Sequence, residues 1–126
     1  MGQLQNIQGD FRRLGYRLIA ISPDQPERLR HTAEKLGIEY MLLSDSQVEA
    51  ASAFGIAFRL DEQLVSSYKR QGLDIEVASG QMHHILPVPA VFVTDAGSRI
   101  TFSYVNPDYR QRIDPEVLLA VAGAAV

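Results

Sequence analysis

A proline-flanked apolar strand is the feature that most constrains the fold of this chain. Leu86-Pro87-Val88-Pro89 leads directly into the apolar run 90–94. Proline fixes φ and has no backbone N–H to donate, so it is tolerated at the beginning of a strand and not in its centre. Two interpretations stay open: the prolines stiffen the start of the strand, or the Val88–Pro89 peptide bond is cis, because cis bonds are almost confined to X-Pro.

Upstream of this strand, the pattern predicts alternating helices and strands. Apolar residues at spacings of three and four predict an N-terminal amphipathic helix. The members of this stripe are Leu4, Ile7, Phe11 and Leu14. The apolar run 16–21 predicts a strand, and a helix follows that begins near Pro26 and ends at Gly37. The next strand is predicted at 40–43.

Two further helices are predicted after the second strand. Asp45 or Ser46 is placed to cap the first of them, and Asp61 is placed to cap the second. The segment 72–86 has weak periodicity and is predicted to be irregular.

The C-terminal part predicts a β-hairpin and a helix. The turn 95–98 has a composition that favours a hairpin between strands 91–94 and 100–105, and Asp114 with its following proline begins the last helix. The order α, β, α, β, α, α, β, β, α predicts a mixed α/β sheet flanked by helices, in a single domain over residues 1–126.

Composition argues against several classes of function. A net charge of −3 with 12 scattered Lys and Arg residues argues against a nucleic-acid surface. No apolar run approaches the ~20 residues of a membrane span. Residues 1–6 lack the features of a signal peptide, so we expect a cytoplasmic protein with no membrane partner. The absence of cysteine excludes a disulfide, a thiol nucleophile and a thiolate metal site in these 126 residues.

In this order the segments resemble the AhpC/TSA family, the peroxiredoxin-like branch of the thioredoxin superfamily. Three stretches, together spread over nearly the whole chain, carry the resemblance. They are Leu14 to Pro23, Leu43-Ser44-Asp45 with the helix that ends at Phe54-Gly55-Ile56, and Leu86 to Arg112 with its Asn106-Pro107-Asp108-Tyr109-Arg110 exit. The resemblance implies a thioredoxin-like fold and an antioxidant oxidoreductase that reduces peroxides or disulfides with a thiol.

The resemblance also implies where a site lies and what it lacks. Val88 and Pro89 correspond to one wall of a redox cleft, with Pro89 preceded by a cis bond. The family's cysteine stands at the start of the helix into which Met1 falls, so it has no counterpart here. We therefore expect no catalytic residue, no cofactor and no activity in this chain. A thiol reductant is expected as a partner only in a full-length form that carries cysteine.

The resemblance places one central strand of the sheet upstream of Met1, between strands 16–21 and 90–94. Its loss leaves a gap of two strand spacings, roughly 9–10 Å. Either the flanking strands pair with each other, antiparallel, or another chain covers the gap, which favours a homodimer. The chain is then a truncated product or a natural cysteine-free form. The alternative function is a non-catalytic interaction or dimerisation module that uses exposed sheet edges.

The remaining polar candidates have structural explanations that are commoner than functional ones. Adjacent histidines lack the spacing of metal ligands, so His83 and His84 are interpreted as loop residues and no metal is expected. His31 is expected to be exposed. Asp45 and Asp95 follow apolar strands, where turn and cap roles are commoner than acid–base chemistry. A cluster after the hairpin is interpreted as cover for the sheet edge and the last helix: Tyr104, Tyr109, Arg110 and Arg112.

Overall fold

A computed structural model of the protein describes residues 2–107 and 113–124, which form seven helices and six strands. In chain order they are α1 (Gly2–Gln5), α2 (Gln8–Arg13), β1 (Ile19–Ser22), α3 (Pro26–Leu36), β2 (Met41–Ser44), α4 (Glu49–Ala53), β3 (Ala57–Arg59), α5 (Glu62–Arg70), α6 (Ile75–Ser79), β4 (Ile85–Pro87), β5 (Ala90–Thr94), β6 (Ile100–Val105) and α7 (Pro115–Ala124). They divide between two compact units, residues 1–18 with 88–126 and residues 19–87. That residues 1–126 form one domain stays a prediction.

The first unit, residues 1–18 with 88–126, is organised around an apolar core. Its buried members come from the N-terminal helices, β5 and α7. They are Ile7, Phe11, Val93, Leu118 and Ala122. The predicted hairpin is present, with β5 and β6 antiparallel. Two residues of the N-terminal stripe, Ile7 and Phe11, are buried, and Leu4 and Leu14 are partly buried against them. The helix is divided into α1 and α2 at Asn6 and Ile7, and asparagine is a poor helix former.

The second unit, residues 19–87, begins with a β-α-β crossover. β1 and β2 pair in parallel, with Ile19 opposite Met41, and α3 connects them. The predicted limits of α3 are confirmed, since Pro26 is its first residue and Gly37 ends it in the left-handed conformation at φ 65°. Parallel strands need such a crossover, because the chain leaves the first strand at one end of the sheet and must enter the second strand at the opposite end.

The rest of the second unit differs from the prediction of an irregular segment over 72–86. The short helix α6 lies there, because the Asp74 carboxylate accepts the N–H groups of Glu76 and Val77 and Gly80 ends the helix at φ 72°. β4 follows and pairs antiparallel with β3, a strand that the sequence pattern does not predict. Elements of three and five residues are too short to show periodicity.

Gln25, at the beginning of α3, binds the end of α6. Its backbone N–H donates to the Ala78 carbonyl oxygen at 2.8 Å, and its side-chain Nε2 donates to the Val77 carbonyl oxygen at 2.8 Å. A Cβ atom on Gly80 would lie 2.8 Å from Cδ of Gln25. A side chain at position 80 would therefore have to displace the end of the Gln25 side chain, in addition to adopting the left-handed backbone conformation.

In the described part of the chain, every sheet has two strands, in the pairs β1–β2, β3–β4 and β5–β6. β1 and β5 belong to different sheets and to different units, so the pairing of these strands with each other stays one of two alternative predictions. Along β1, successive backbone N–H and C=O groups point in turn to its two sides. Pairing with β2 therefore provides hydrogen-bond partners on one side only. That another chain covers the gap stays a prediction. None of the helices within residues 2–107 and 113–124 combines the length and the apolar character needed to cross a membrane.

Candidate functional site

The predicted cleft wall, Val88 and Pro89, lies at the start of β5 in the first unit, and both residues are half-buried. No peptide bond in residues 2–107 and 113–124 is cis, so the expectation of a cis Val88–Pro89 bond is wrong. The Pro89 carbonyl oxygen accepts the backbone N–H of Asn106 at 3.1 Å, which continues the β5–β6 ladder beyond the Ala90–Val105 pair. Pro89 thus continues the extended backbone at the start of β5. This agrees with the interpretation that the prolines stiffen the start of the strand.

Val88 differs from Pro89 in its backbone contacts. Among the described residues, its N–H and C=O groups have no hydrogen-bond partner. A half-buried residue with both groups unpaired offers one donor and one acceptor to a ligand, whereas Pro89 beside it is held by the hairpin.

His83 and His84 are ordered by specific contacts in the second unit. Nε2 of His83 lies 2.8 Å from the Ser46 carbonyl oxygen, and its Nδ1 accepts the backbone N–H of Ile85 at 3.0 Å. Nε2 of His84 lies 3.0 Å from Oε2 of Glu76. The structure therefore makes them partly buried, hydrogen-bonded residues and corrects the interpretation as solvated loop residues. His31 is exposed, as expected.

The two aspartates that follow strands have the expected turn and cap roles. Both carboxylate oxygens of Asp45 are used, one by the N–H of Ala50 at 3.1 Å and one by that of Ala51 at 3.0 Å. Oδ1 of Asp95 accepts the N–H groups of Gly97 and Arg99 in the hairpin turn. Carboxylates held in this way are placed for backbone capping and not for proton transfer to a substrate.

Other predicted functional residues form no site in the described part of the chain. Tyr104 is half-buried on β6 and contacts Asn106, while Tyr109, Arg110 and Arg112 lie outside the described residues. Residues 2–107 and 113–124 contain no group of three His, Asp or Glu side chains arranged to hold a metal ion.

A shallow groove between α3 and β2 is a feature that the sequence pattern does not predict. Its volume is about 320 Å³, and four apolar and three polar residues line it. The lining residues are Pro26, Leu29, Arg30, Ala33, Tyr40, Leu42 and Ser44. Burial raises the pKa of the Tyr40 phenol above its ordinary value of 10.0. The only sequence signal for this groove is an aromatic residue directly before a strand that packs under an amphipathic helix.

The opposite face of the β1–β2 sheet is apolar and exposed. Its four side chains alternate with those that face α3 and are 43–47% exposed. They are Ile19, Ile21, Met41 and Leu43, here called the β1–β2 apolar face. Parallel sheets are normally covered on both faces, so this exposure is unusual.

Comparison with proteins of known sequence identifies the family. The AhpC/TSA family matches residues 1–103. Two Mycobacterium tuberculosis proteins that carry peroxiredoxin names, from strains CDC 1551 and H37Rv, are 40% identical over 47 residues. Those matches cover 37% of this chain and 30% of each relative, so this chain aligns with under a third of their length.

Solved structures of peroxiredoxins share the fold. A cysteine-to-serine mutant of Arenicola marina peroxiredoxin 6 aligns with a TM-score of 0.72 at 20% identity, over 98% of this chain and 52% of its own. Mycobacterium tuberculosis peroxidoxin BcpB aligns at 0.70 and 19% identity, over 99% and 68%. Enterococcus faecalis AhpC aligns at 0.69 and 20% identity, over 98% and 62%. The predicted thioredoxin-like fold is confirmed, and the chain belongs to the AhpC/TSA family of peroxiredoxin-like proteins.

Proposed function

We propose that this chain contributes the fold and one cleft wall of a thiol-dependent peroxide reductase, and that alone it reduces no peroxide. The observation that carries the proposal is a family match over residues 1–103 in a sequence without cysteine. The reductase activity itself then depends on a thiol that these 126 residues do not contain.

The chemistry explains why the missing thiol matters. In thiol-dependent reduction, a thiolate sulfur attacks one peroxide oxygen, the O–O bond breaks, and the sulfur becomes a sulfenic acid while the other oxygen leaves as water or alcohol. Serine does not form the corresponding intermediate. The carboxylates of Asp45 and Asp95 accept backbone N–H groups, and neither they nor a histidine ring can be oxidised and regenerated in this cycle.

Val88 and Pro89 are the residues we assign to the cleft wall. Within residues 2–107 and 113–124 the backbone groups of Val88 have no partner and supply a donor and an acceptor, and the hydrogen bond from the Asn106 N–H to the Pro89 carbonyl oxygen holds the adjacent backbone in place. Binding through backbone groups requires no particular side chain, which agrees with an apolar pair at this position.

A peroxide-consumption assay tests the absence of activity. Purified chain with hydrogen peroxide and a thiol reductant is expected to consume no peroxide beyond slow oxidation of exposed methionine. Met82, 78% exposed, and Met41, 45% exposed, each take up one oxygen atom as sulfoxide and do not turn over. Mass spectrometry of the protein counts these oxygens. Peroxide loss in excess of that count, dependent on both protein and reductant, would overturn the proposal.

The β1–β2 apolar face favours a second candidate, a non-catalytic module that associates with itself or with another protein. Sedimentation measurements over a range of protein concentrations test the homodimer. The homodimer requires Ile21→Lys on this face to weaken association and Val117→Lys, at an equally exposed site on α7, to leave it unchanged. A monomer at every concentration would argue against self-association.

The coding sequence upstream of Met1 distinguishes the two candidates. An in-frame segment that encodes a strand and a cysteine at the start of a helix supports the reductase. An in-frame stop codon supports the interaction module.

A further inference from the structure

The hydrogen-bond partners of His83 fix the protonation state of its ring. The backbone N–H of Ile85 can only donate, so Nδ1 of His83, 3.0 Å away, must carry a lone pair. The carbonyl oxygen of Ser46 can only accept, so Nε2, 2.8 Å away, must carry the hydrogen. Both contacts exist together only in the neutral Nε2–H tautomer.

The donor that His83 satisfies lies on the open edge of β4. The Leu60 N–H donates to the His84 carbonyl oxygen at 2.8 Å, which makes these two residues a hydrogen-bonded pair across the ladder. Such pairs alternate with non-hydrogen-bonded ones in antiparallel strands. The next pair, Arg59 with Ile85, is therefore non-hydrogen-bonded, and the Ile85 N–H points away from β3 towards the His83 ring.

A proton on Nδ1 changes these two contacts in opposite directions. Nδ1 becomes a donor, and two N–H groups then oppose each other across 3.0 Å. The Nε2–H bond to Ser46 becomes charge-assisted and stronger, so the ring stays with Ser46 and releases Ile85. We propose that His83 is a proton-sensitive link, which joins β4 to the loop between β2 and α4 when neutral and frees the start of β4 when charged.

His84 responds to acid with the opposite sign. Its Nε2 lies 3.0 Å from a carboxylate oxygen of Glu76, and both side chains are partly buried, at 25% and 30% exposure. A carboxylate accepts only, so a charged ring converts this hydrogen bond into an ion pair. The His84–Glu76 contact therefore persists when the ring is charged, and the proposed release concerns only the His83–Ile85 contact.

Five charged groups lie on the elements next to His83 in the fold. Four of them are acidic and one is basic. They are Asp45 on the β2–α4 loop, Glu49 on α4, Asp74 and Glu76 on α6, and Arg59 on β3.

Nuclear magnetic resonance of the whole chain tests the proposal by two measurements. Long-range nitrogen–proton spectra at pH 8 are expected to show the Nε2–H tautomer for His83. Histidine rings titrate at about pH 5–8. The second measurement is the protection of the Ile85 amide from hydrogen exchange, corrected for intrinsic rates. Between pH 8 and pH 5 this protection is expected to fall about fivefold, which is the usual contribution of one hydrogen bond.

Two matched variants separate the histidines. In His83→Asn, the side-chain oxygen can still accept the Ile85 N–H but does not titrate, so the protection of Ile85 becomes independent of pH. In His84→Gln, the pH dependence persists. An Nδ1–H tautomer, a flat profile in the unmodified chain, a drop retained in His83→Asn or a drop lost in His84→Gln would each overturn the proposal. The unmodified chain decides the question by itself if a variant does not fold.

Discussion

The two units differ in the contacts that accompany their buried apolar side chains. In the first unit, buried apolar side chains from the two ends of the chain and from β5 meet in one core, which includes Phe11 and Leu118. In the second unit, apolar residues such as Leu29 are buried too, and the side chains of Gln25 and His83 also bind backbone groups 52 and 37 positions away. Apolar burial is non-directional and tolerates small shifts, whereas each polar contact requires one geometry. The comparison therefore predicts different costs for truncating an apolar and a polar side chain.

The largest effect is expected in the core of the first unit. Leu118 is 3% exposed, and its neighbour on α7, Val117, is 51% exposed. Leu118→Ala removes buried carbons and leaves a cavity, which lowers the free energy of unfolding by about 2–5 kcal/mol. Val117→Ala is expected to change it by less than about 0.5 kcal/mol. Urea denaturation measures both, and equal costs would mean that this core does not dominate the unit.

A second effect concerns the glycine beneath Gln25. Gly80 and Gly37 both end helices with positive φ, 72° and 65°, but only at Gly80 does an added Cβ meet a neighbour within 4 Å. Gly37→Ala carries the backbone cost alone, about 1–2 kcal/mol. Gly80→Ala costs more, because it also displaces Gln25. The difference between the two should shrink in a Gln25→Ala background, and a difference that persists there would contradict the contact.

A smaller effect tests the cap at α4. Asp45→Ala leaves two helical N–H groups without their acceptors and is expected to lower the free energy of unfolding by about 1–2 kcal/mol. Asp45→Asn keeps one acceptor oxygen and should lose about half as much. Thermal and urea denaturation compare the pair. An asparagine variant as unstable as the alanine variant would show that the charge, and not the second hydrogen bond, stabilises the helix.

The smallest effect is at high pH. Burial raises the pKa of Tyr40 above 10.0, so the unfolded chain loses this proton before the folded chain does. The folded state binds more protons in that window, and stability therefore falls as the pH rises from 10 towards the folded pKa. Urea denaturation from pH 9 upwards should show a shallower decline for Tyr40→Phe than for Tyr68→Phe. Identical declines would contradict the assignment.

The sequence predicts the first unit better than the second, for a physical reason. Spacing of Ile7 and Phe11 predicts their burial, and the 95–98 turn predicts the hairpin; both are confirmed. The pattern does not predict β3 or α6, which are too short to contain a period. It also gives no signal for the bond from Gln25 to Val77, which joins residues 52 positions apart.

The candidate site shows the same limit. The proline pattern locates Val88 and Pro89 at the start of β5, as the structure does. The expected cis bond before Pro89 is absent, and the proline pattern gives no signal for the hydrogen bond from the Asn106 N–H to the Pro89 carbonyl oxygen, because Asn106 lies beyond β6. Likewise, Ser46, one of the two residues that order His83, lies 37 positions away, so the sequence around His83 indicates only a polar loop.

The β1–β2 apolar face has a consequence for the colloidal behaviour of the protein. Its four half-exposed side chains attract each other across molecules, and the net charge of −3 is the main electrostatic repulsion that opposes this. That repulsion vanishes near the isoelectric point of about 5.5. Solubility should therefore have a minimum near this pH. The β1–β2 apolar face then determines at which pH the protein can be concentrated.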